Sequence, residues 1–512
     1  MGEAQGDGQY DDDDDIIQII EQSLENRGKL RDILQQKGDL PEPKPKISIM
    51  KKRATHITNQ ILASFAVSFG PFAVGLGKGY TSPALASMQS ENQTSLTTLT
   101  ITEQQGSWIA SLSLLGALFG GLFAGLVIKH GRRKTLCYIT LPFASSWTLT
   151  MFATCVEMIY LTAFLVGFFS AIVQLATQVY ISEIADPTIR ASLCSAAKVL
   201  SHIGLLSSFA LGAFLDWRQL ACVCAGSPIM LFITSRFIPE TPSFLLYNNE
   251  EGKAEKALQW LRGSNVDVSA ELATIHCNIR RMKEQGSSCK TVLVPQLVRP
   301  LLITCGLMFF HRFSGVAAFN FYAVTIFRDS FGSFNPHLAA VVTGSIQLLA
   351  SCASGILCDI IGRLPLLILS TALMSSALAG FGCYSYYFHD NLPSHLDWIP
   401  LMCVILFVCS FSLGMNPISW LLIGEVFPLE YRNIGPSMTT AFSYICAFVG
   451  VKTFVDLRNA LGLHGTFWAY SVISVIGLLY SLIFVPETKG ITLDEMEPKA
   501  SILKREKSRN KA

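Results

Sequence analysis

The sequence predicts an all-α membrane protein, with twelve transmembrane helices in two halves of six and a polar helical linker between them. Three observations lead there. Half of the 512 residues are apolar, only 15% are charged and mean hydropathy is +0.41, too oily for an ordinary water-soluble protein. The apolar residues gather into runs long enough to cross a hydrocarbon core, which takes about 20 helical residues, and far longer than barrel strands. A polar stretch, residues 240–297, divides those runs six and six.

The order of elements follows from composition. Residues 1–56 read as a polar cytoplasmic leader: acidic at Asp11 to Asp15, with Ile16, Ile17, Ile20 and Leu24 spaced for one helix face, then a stiff linker from Pro41 to Pro45. No apolar run precedes about residue 57, so no cleaved signal peptide is expected. Met1-Gly2 opens like a myristoylation signal, but Gly6 stands where Ser or Thr is wanted. Lys51, Lys52 and Arg53 abut the first run and place that end inside the cell.

The spans are expected near 57–77, 107–128, 135–154, 158–180, 191–214, 218–237, 298–325, 336–358, 365–385, 398–422, 434–455 and 466–485. Residues 57–239 form the first half, 298–485 the second, and 486–512 a cytoplasmic tail whose basic end, 504–511, is solvated. The loops agree in charge: Lys129, Arg132, Arg133 and Lys134 cluster inside, while residues 81–106 contain no Lys or Arg. That outer loop carries the sequon Asn92-Gln93-Thr94, a glycosylation candidate. In the linker, Ala254, Ala257, Leu258 and Leu261 recur at helical spacing, as in amphipathic helices lying under a membrane.

Composition also excludes. A net charge of +2 without a basic face argues against a nucleic-acid partner, leaving a small solute and the lipid bilayer. Most of the fourteen cysteines, such as Cys137, Cys222, Cys305, Cys403 and Cys446, lie in apolar runs without metal-ligand spacing and read as small buried hydrophobes. There is no phosphate-binding glycine loop, metal cluster or nucleophile elbow, so no enzyme, metal or cofactor is expected.

Two motifs recur at matching places. Gly120-Gly121 precede Gly131-Arg132-Arg133-Lys134 after the second span, and Gly355 and Asp359 precede Gly362-Arg363 after the eighth. Small residues let helices approach closely, and the cations suit carboxylates at neighbouring helix ends. Beside them stand Tyr180-Ile181-Ser182-Glu183-Ile184 with Arg190, and Trp420 with Glu425, Pro428 and Arg432. Pro239-Glu240-Thr241-Pro242 and Pro486-Glu487-Thr488-Lys489-Gly490 complete the set.

Jointly and in this order, these signatures resemble the sugar porters of the major facilitator superfamily over residues 57–495. The stretches Gly79 to Leu85 and Phe321-Tyr322 to Ile326-Phe327 resemble the insect trehalose branch. The resemblance implies two six-helix halves rocking around a central site, with helices 1 and 7 as the outer gate. It assigns a cytoplasmic salt-bridge network to Arg132, Arg133, Glu183, Arg190, Glu240, Asp359, Arg363, Glu425, Arg432 and Glu487. That network would fasten the halves in the outward-facing state and open in the inward-facing one. Ile128 departs from the pattern, where the family has an acidic residue, which weakens the first-half fastening.

The implied substrate site is less orthodox. At its positions the chain keeps Gln347 and Trp420, but Lys198 replaces Gln, His311-Arg312 replace a Gln pair, Ala317 replaces Asn, and Ser443-Tyr444 replace Asn-Trp. Lys198, His202, His311, Arg312, Asn320, Gln347, Trp420 and Ser443 are the substrate-binding candidates. Ionisable groups inside a span are functional suspects, although a Lys can also snorkel and an Arg can seek a helix end. Proton-coupled relatives carry an Asp near the outer end of the first span; here Gly77 stands there, which favours facilitated diffusion. The expected function is facilitative transport of a sugar, trehalose or a hexose. A non-sugar, anionic solute on the same fold and a non-transporting nutrient sensor are the alternatives.

Overall fold

The computed structural model describes residues 46–89, 99–263, 267–285, 295–330, 335–388, 398–427, 431 and 434–487. Met1–Ile57 forms one compact unit, of which residues 46–57 are described, in helical conformation; Thr58–Ala512 forms the other. The helices are Lys46–Met88 (α1), Glu103–Ile128 (α2), Arg132–Met151 (α3), Val156–Ile184 (α4), Arg190–Leu211 (α5), Trp217–Arg236 (α6), Pro242–Tyr247 (α7), Glu251–Arg262 (α8), Ser269–Gln285 (α9), Pro295–Phe313 (α10), Val316–Ser330 (α11), Pro336–Ile361 (α12), Arg363–Tyr387 (α13), Trp398–Ser410 (α14), Asn416–Glu425 (α15) and Gly435–Phe484 (α16). No strand occurs among the described residues.

Ten stretches are long and apolar enough to cross a membrane. Their outward faces carry exposed Leu122, Phe123, Leu126, Ile229, Leu349, Ile356, Leu479 and Ile483, an apolar coat that only lipid satisfies. α3 is not among the ten, because three cations open it and six hydroxyl residues run through it. Those hydroxyls are satisfied locally: Thr135, Thr140, Ser145, Ser146, Thr148 and Thr150 each donate to a carbonyl three or four residues back.

Four expected spans are not simple separate rods. The run 298–325 breaks between α10 and α11 at Ser314-Gly315, where Gly315 has φ +89°. The run 398–422 contains a wide five-residue turn, Phe411–Met415, ahead of Pro417, which has no N–H to give the ladder. Gly435–Phe484 continues through both expected last spans, with a break at Gly462 (φ +71°, ψ +173°). The first helix is also longer than 57–77, reaching Met88. Of the cysteines read as buried, Cys137 and Cys446 are, Cys305 and Cys403 are half-buried, and Cys222 is exposed on the apolar coat.

Packing follows the small residues. α2 lies against α4 along Gly116, Gly120 and Gly167: a methyl added there would meet Phe164 O at 2.0 Å, Phe168 O at 2.1 Å and Ser113 O at 1.8 Å. Gly121, paired with Gly120 in the motif, faces open space and has no such role. α3 packs on α4 and α6, while α13 packs on α14 and α16, so each sequence half builds its own bundle. The two bundles meet where α2 touches α16 and where α5 touches α12.

Between them in sequence, α7, α8 and α9 bury Phe244, Leu245, Leu246, Ala254 and Ala257 against Leu272, Ile275 and Ile279, as the helical spacing predicts. Arg262 anchors this cluster, donating to Ile184 O at the end of α4 (3.0 Å) and pairing with Glu271 (2.7 Å). The leader before residue 46, Asn92, Arg432 and the tail from 488 lie outside the described residues, as does the side chain of Asp359.

The glycine seam yields a paired test. Gly120→Ala pushes a methyl into the α4 backbone, so it lowers thermal stability in detergent by about 1–3 kcal/mol, the usual range for overpacking. Gly121→Ala, which meets nothing, leaves the melting temperature unchanged or raises it slightly.

Candidate functional site

Ile128 and Arg132 lie at one end of the bundle and Glu103 at the other, since 26 residues of α2 rise about 39 Å. At the Arg132 end, one carboxylate organises each half. Gly131 turns with φ +123°, unfavourable for any residue with a Cβ, and a methyl there would lie 2.8 Å from Glu240 Oε2. The turn aims the first N–H groups of α3 at Glu240: Arg132 N and Arg133 N donate to Oε1 at 2.9 Å, and Lys134 N to Oε2 at 3.3 Å. An anion on the positive end of a helix dipole is favourable there. The Arg132 side chain swings to Glu183, 2.8 Å away, and lies over the Phe244 ring.

The second half repeats this. Gly362 turns with φ +106°, Arg363 N and Leu364 N donate to Glu487 at 3.2 and 2.9 Å, and the Arg363 guanidinium reaches Glu425 at 3.4 Å. Glu240 and Glu487 are thus helix caps, seen as network members in sequence but bonded mainly to backbone. Arg133 holds Ser235 O and Arg236 O, and Arg190 holds Ala185 O. Each of these bonds joins elements of the same half. Glu183 Oε2 is buried and has no hydrogen-bond partner among the described residues.

The bonds that cross between halves sit at the opposite end. Arg458 on α16 grips Glu103, the first residue of α2, across the halves, and is held within its own half by Asp329 at the end of α11 (3.2 Å). Gln104 bonds Asp456 (2.5 Å), and Lys452 bonds Gln104 and Ser107 while lying 4.8 Å over the Trp108 ring. Deeper, Val324 N donates to Ser82 Oγ of α1 at 3.0 Å. This charged latch is a site that motif reading missed. Its only sequence trace is a set of charges at span ends.

Midway along the bundle, Arg312 leaves the end of α10 and donates through Nε to Ser443 Oγ at 2.8 Å. Its guanidinium lies 5.6 Å from the Trp420 ring and 5.9 Å from Tyr444, so three candidates from separate elements converge. His311 is 3% exposed, packs on Phe411, lies edge-on to the Trp420 ring at 6.5 Å and reaches Asn416 Oδ1 at 3.4 Å, while its Nδ1 has no partner among the described residues. Gln347 is 4% exposed and Asn320 half-buried, and neither amide bonds to a described residue. On α5, Lys198 is exposed and His202 half-buried, one turn apart on one face. Within the described residues, no metal-ligand cluster forms.

The family model for "Sugar (and other) transporter" matches residues 63–500. The facilitated trehalose transporter of Polypedilum vanderplanki is 38% identical over 449 residues, which are 87% of this chain and 88% of that protein. That of Culex quinquefasciatus is 37% identical, covering 86% of each. Among solved structures, the xylose transporter of E. coli in a partially occluded inward open conformation superposes with a TM-score of 0.71, at 18% identity over 85% of this chain and all of that one. That likeness speaks for the fold alone.

Removing the latch cation tests its part in state choice. Arg458 is mostly buried, whereas its partners are half-exposed and solvent-screened, so Arg458→Ala costs the latched state about 1 kcal/mol, roughly a fivefold population shift. In purified protein with native cysteines replaced, a thiol placed at the fully buried Ala323 then reacts about fivefold faster. An unchanged rate means the latch does not set the equilibrium.

Proposed function

The chain belongs to the Sugar (and other) transporter family, and from that membership we propose that it carries a sugar across a membrane by facilitated diffusion. It is a multi-pass membrane protein and a transporter rather than an enzyme. The observation that carries the solute class is the 37–38% identity, across most of both chains, to facilitated trehalose transporters. Trehalose or a hexose is the solute, and the lipid bilayer houses the protein.

The finer architecture belongs to the same proposal. Twelve spans result if α3, packed on α4 and α6, crosses the membrane and if Gly462 divides α16 into two crossings. Residues 57–239 and 298–485 are then the moving halves, with α7 to α9 as a cytoplasmic linker. Lys129 to Lys134 and the leader face the cytoplasm, and the Arg458 latch and Asn92, with its glycan, face outward at the cell surface.

In this orientation the outer end is fastened and each carboxylate at the inner end serves its own half, the arrangement of an inward-facing state. Glu183, with one unsatisfied oxygen, is the group that supports a cross-half bond forming when the inner end closes. Arg132, Arg133, Arg190, Glu240, Asp359, Arg363, Glu425, Arg432 and Glu487 make up the rest of that inner rim. Alternating access then exchanges one latch for the other around the central residues. Gln347 and Asn320 offer unbonded amides to sugar hydroxyls, and Trp420 offers an aromatic face. Gly77, in place of a titratable acid, leaves proton coupling without its carrier.

Two measurements test this. Proteoliposomes of the purified chain take up labelled trehalose or glucose saturably, and an imposed proton gradient leaves the initial rate unchanged. Gln347→Ala raises KM about tenfold, because one sugar hydroxyl loses a buried partner worth about 1–3 kcal/mol. Flux that does not saturate removes the transport reading, and acceleration by the gradient removes the facilitative one.

A further inference from the structure

The inside of the bundle holds one more cation than the motifs disclose. Lys78 lies inside α1, twenty-one residues past Ile57, where Ala73 to Leu76 and Gly79 to Ala86 are all buried. Its own side chain is exposed. The lipid-facing stripe of α1 is Ile61, Leu62 and Phe65, and at 100° per residue Lys78 projects about 145° away from the middle of that stripe. It therefore opens on space inside the bundle rather than on the apolar coat.

Other cations share that space. Lys78 is near enough to Arg312 for their charges to act on one another, and His202 feels both Lys78 and Lys198. α1 and α5 touch directly, since a methyl on Gly75 would lie 1.9 Å from Ser201 O, the residue before His202. Lys78, Lys198 and Arg312 thus stand on three neighbouring elements, α1, α5 and the α10 break, around that internal space.

Nothing among the described residues neutralises them. Residues 58–90, 187–215, 295–328, 336–358, 398–424 and 434–455 contain no Asp or Glu. Neither Lys78 nor Lys198 has an ion pair or hydrogen bond among the described residues, and the Arg312 guanidinium bonds only a hydroxyl, between two aromatic rings. Cations within a membrane bundle, away from carboxylates, repel each other and lose hydration. An anion entering that space relieves both costs. The bidentate guanidinium and point-charge ammonium groups are the donors that oxyanions take.

We propose that this internal space selects saccharides bearing an oxyanion, a carboxylate or a phosphate, which Lys78, Lys198 and Arg312 receive while Gln347 and Trp420 take the sugar ring. The proposal rests on reading that space as the sugar pathway and narrows its substrate class. Binding of a singly charged solute by an unpaired cation cluster makes net transport electrogenic.

The test uses proteoliposomes of the full-length chain with labelled glucose, glucuronate and glucose 6-phosphate. Glucuronate or glucose 6-phosphate suppresses glucose entry at least tenfold more effectively than neutral methyl glucoside, and whichever acts more strongly identifies the preferred oxyanion. An interior-positive potential, set with potassium and valinomycin, accelerates entry of the preferred anion. Lys78→Ser and, at the exposed position, Lys198→Gln lower the anion-to-glucose uptake ratio by at least fivefold, whereas Lys78→Arg keeps it. If glucose enters saturably and the anions compete no better than methyl glucoside, the proposal falls while sugar transport stands. If no saccharide enters saturably, both fall.

Discussion

A carboxylate seated on the first backbone N–H groups of a helix, once at Glu240 and again at Glu487, is the contact on which the inner architecture depends. A helix start leaves donors that lipid cannot satisfy, and a glycine with positive φ is needed to bring them to a carboxylate from a distant segment. Each cap ties the last strut of its half, at the Pro-Glu-Thr sequences, to the third helix of that half. It also frees the Arg132 and Arg363 side chains to engage Glu183 and Glu425.

The opposite end is built on another principle. There, apart from Arg458–Asp329, the contacts are between side chains of different halves, several of them half-exposed and each worth little alone. Bonds of that strength bias an equilibrium without locking it.

Between these ends the chain departs from a neutral sugar site. Arg312 lies near the Trp420 and Tyr444 rings and bonds a hydroxyl rather than a carboxylate. His311, its neighbour in sequence, is buried between Phe411 and the edge of Trp420. Adjacent residues on a helix point about 100° apart, so a pair of substitutions in one motif was bound to place its members differently.

From the sequence alone came the helical membrane class and the two recurring Gly-Arg turns. These follow from periodicity, length and spacing, which bilayer physics restricts to few solutions. Tertiary structure alone decided that Gly120 packs while Gly121 does not, that Glu240 and Glu487 cap backbone instead of pairing with arginines, and that α10 breaks before α11. It also joined Arg458 to Glu103 across 355 positions and left Lys78 exposed on a helix otherwise buried around it. Such facts depend on which face of a helix meets which neighbour, and long-range contact leaves no periodic mark along a chain.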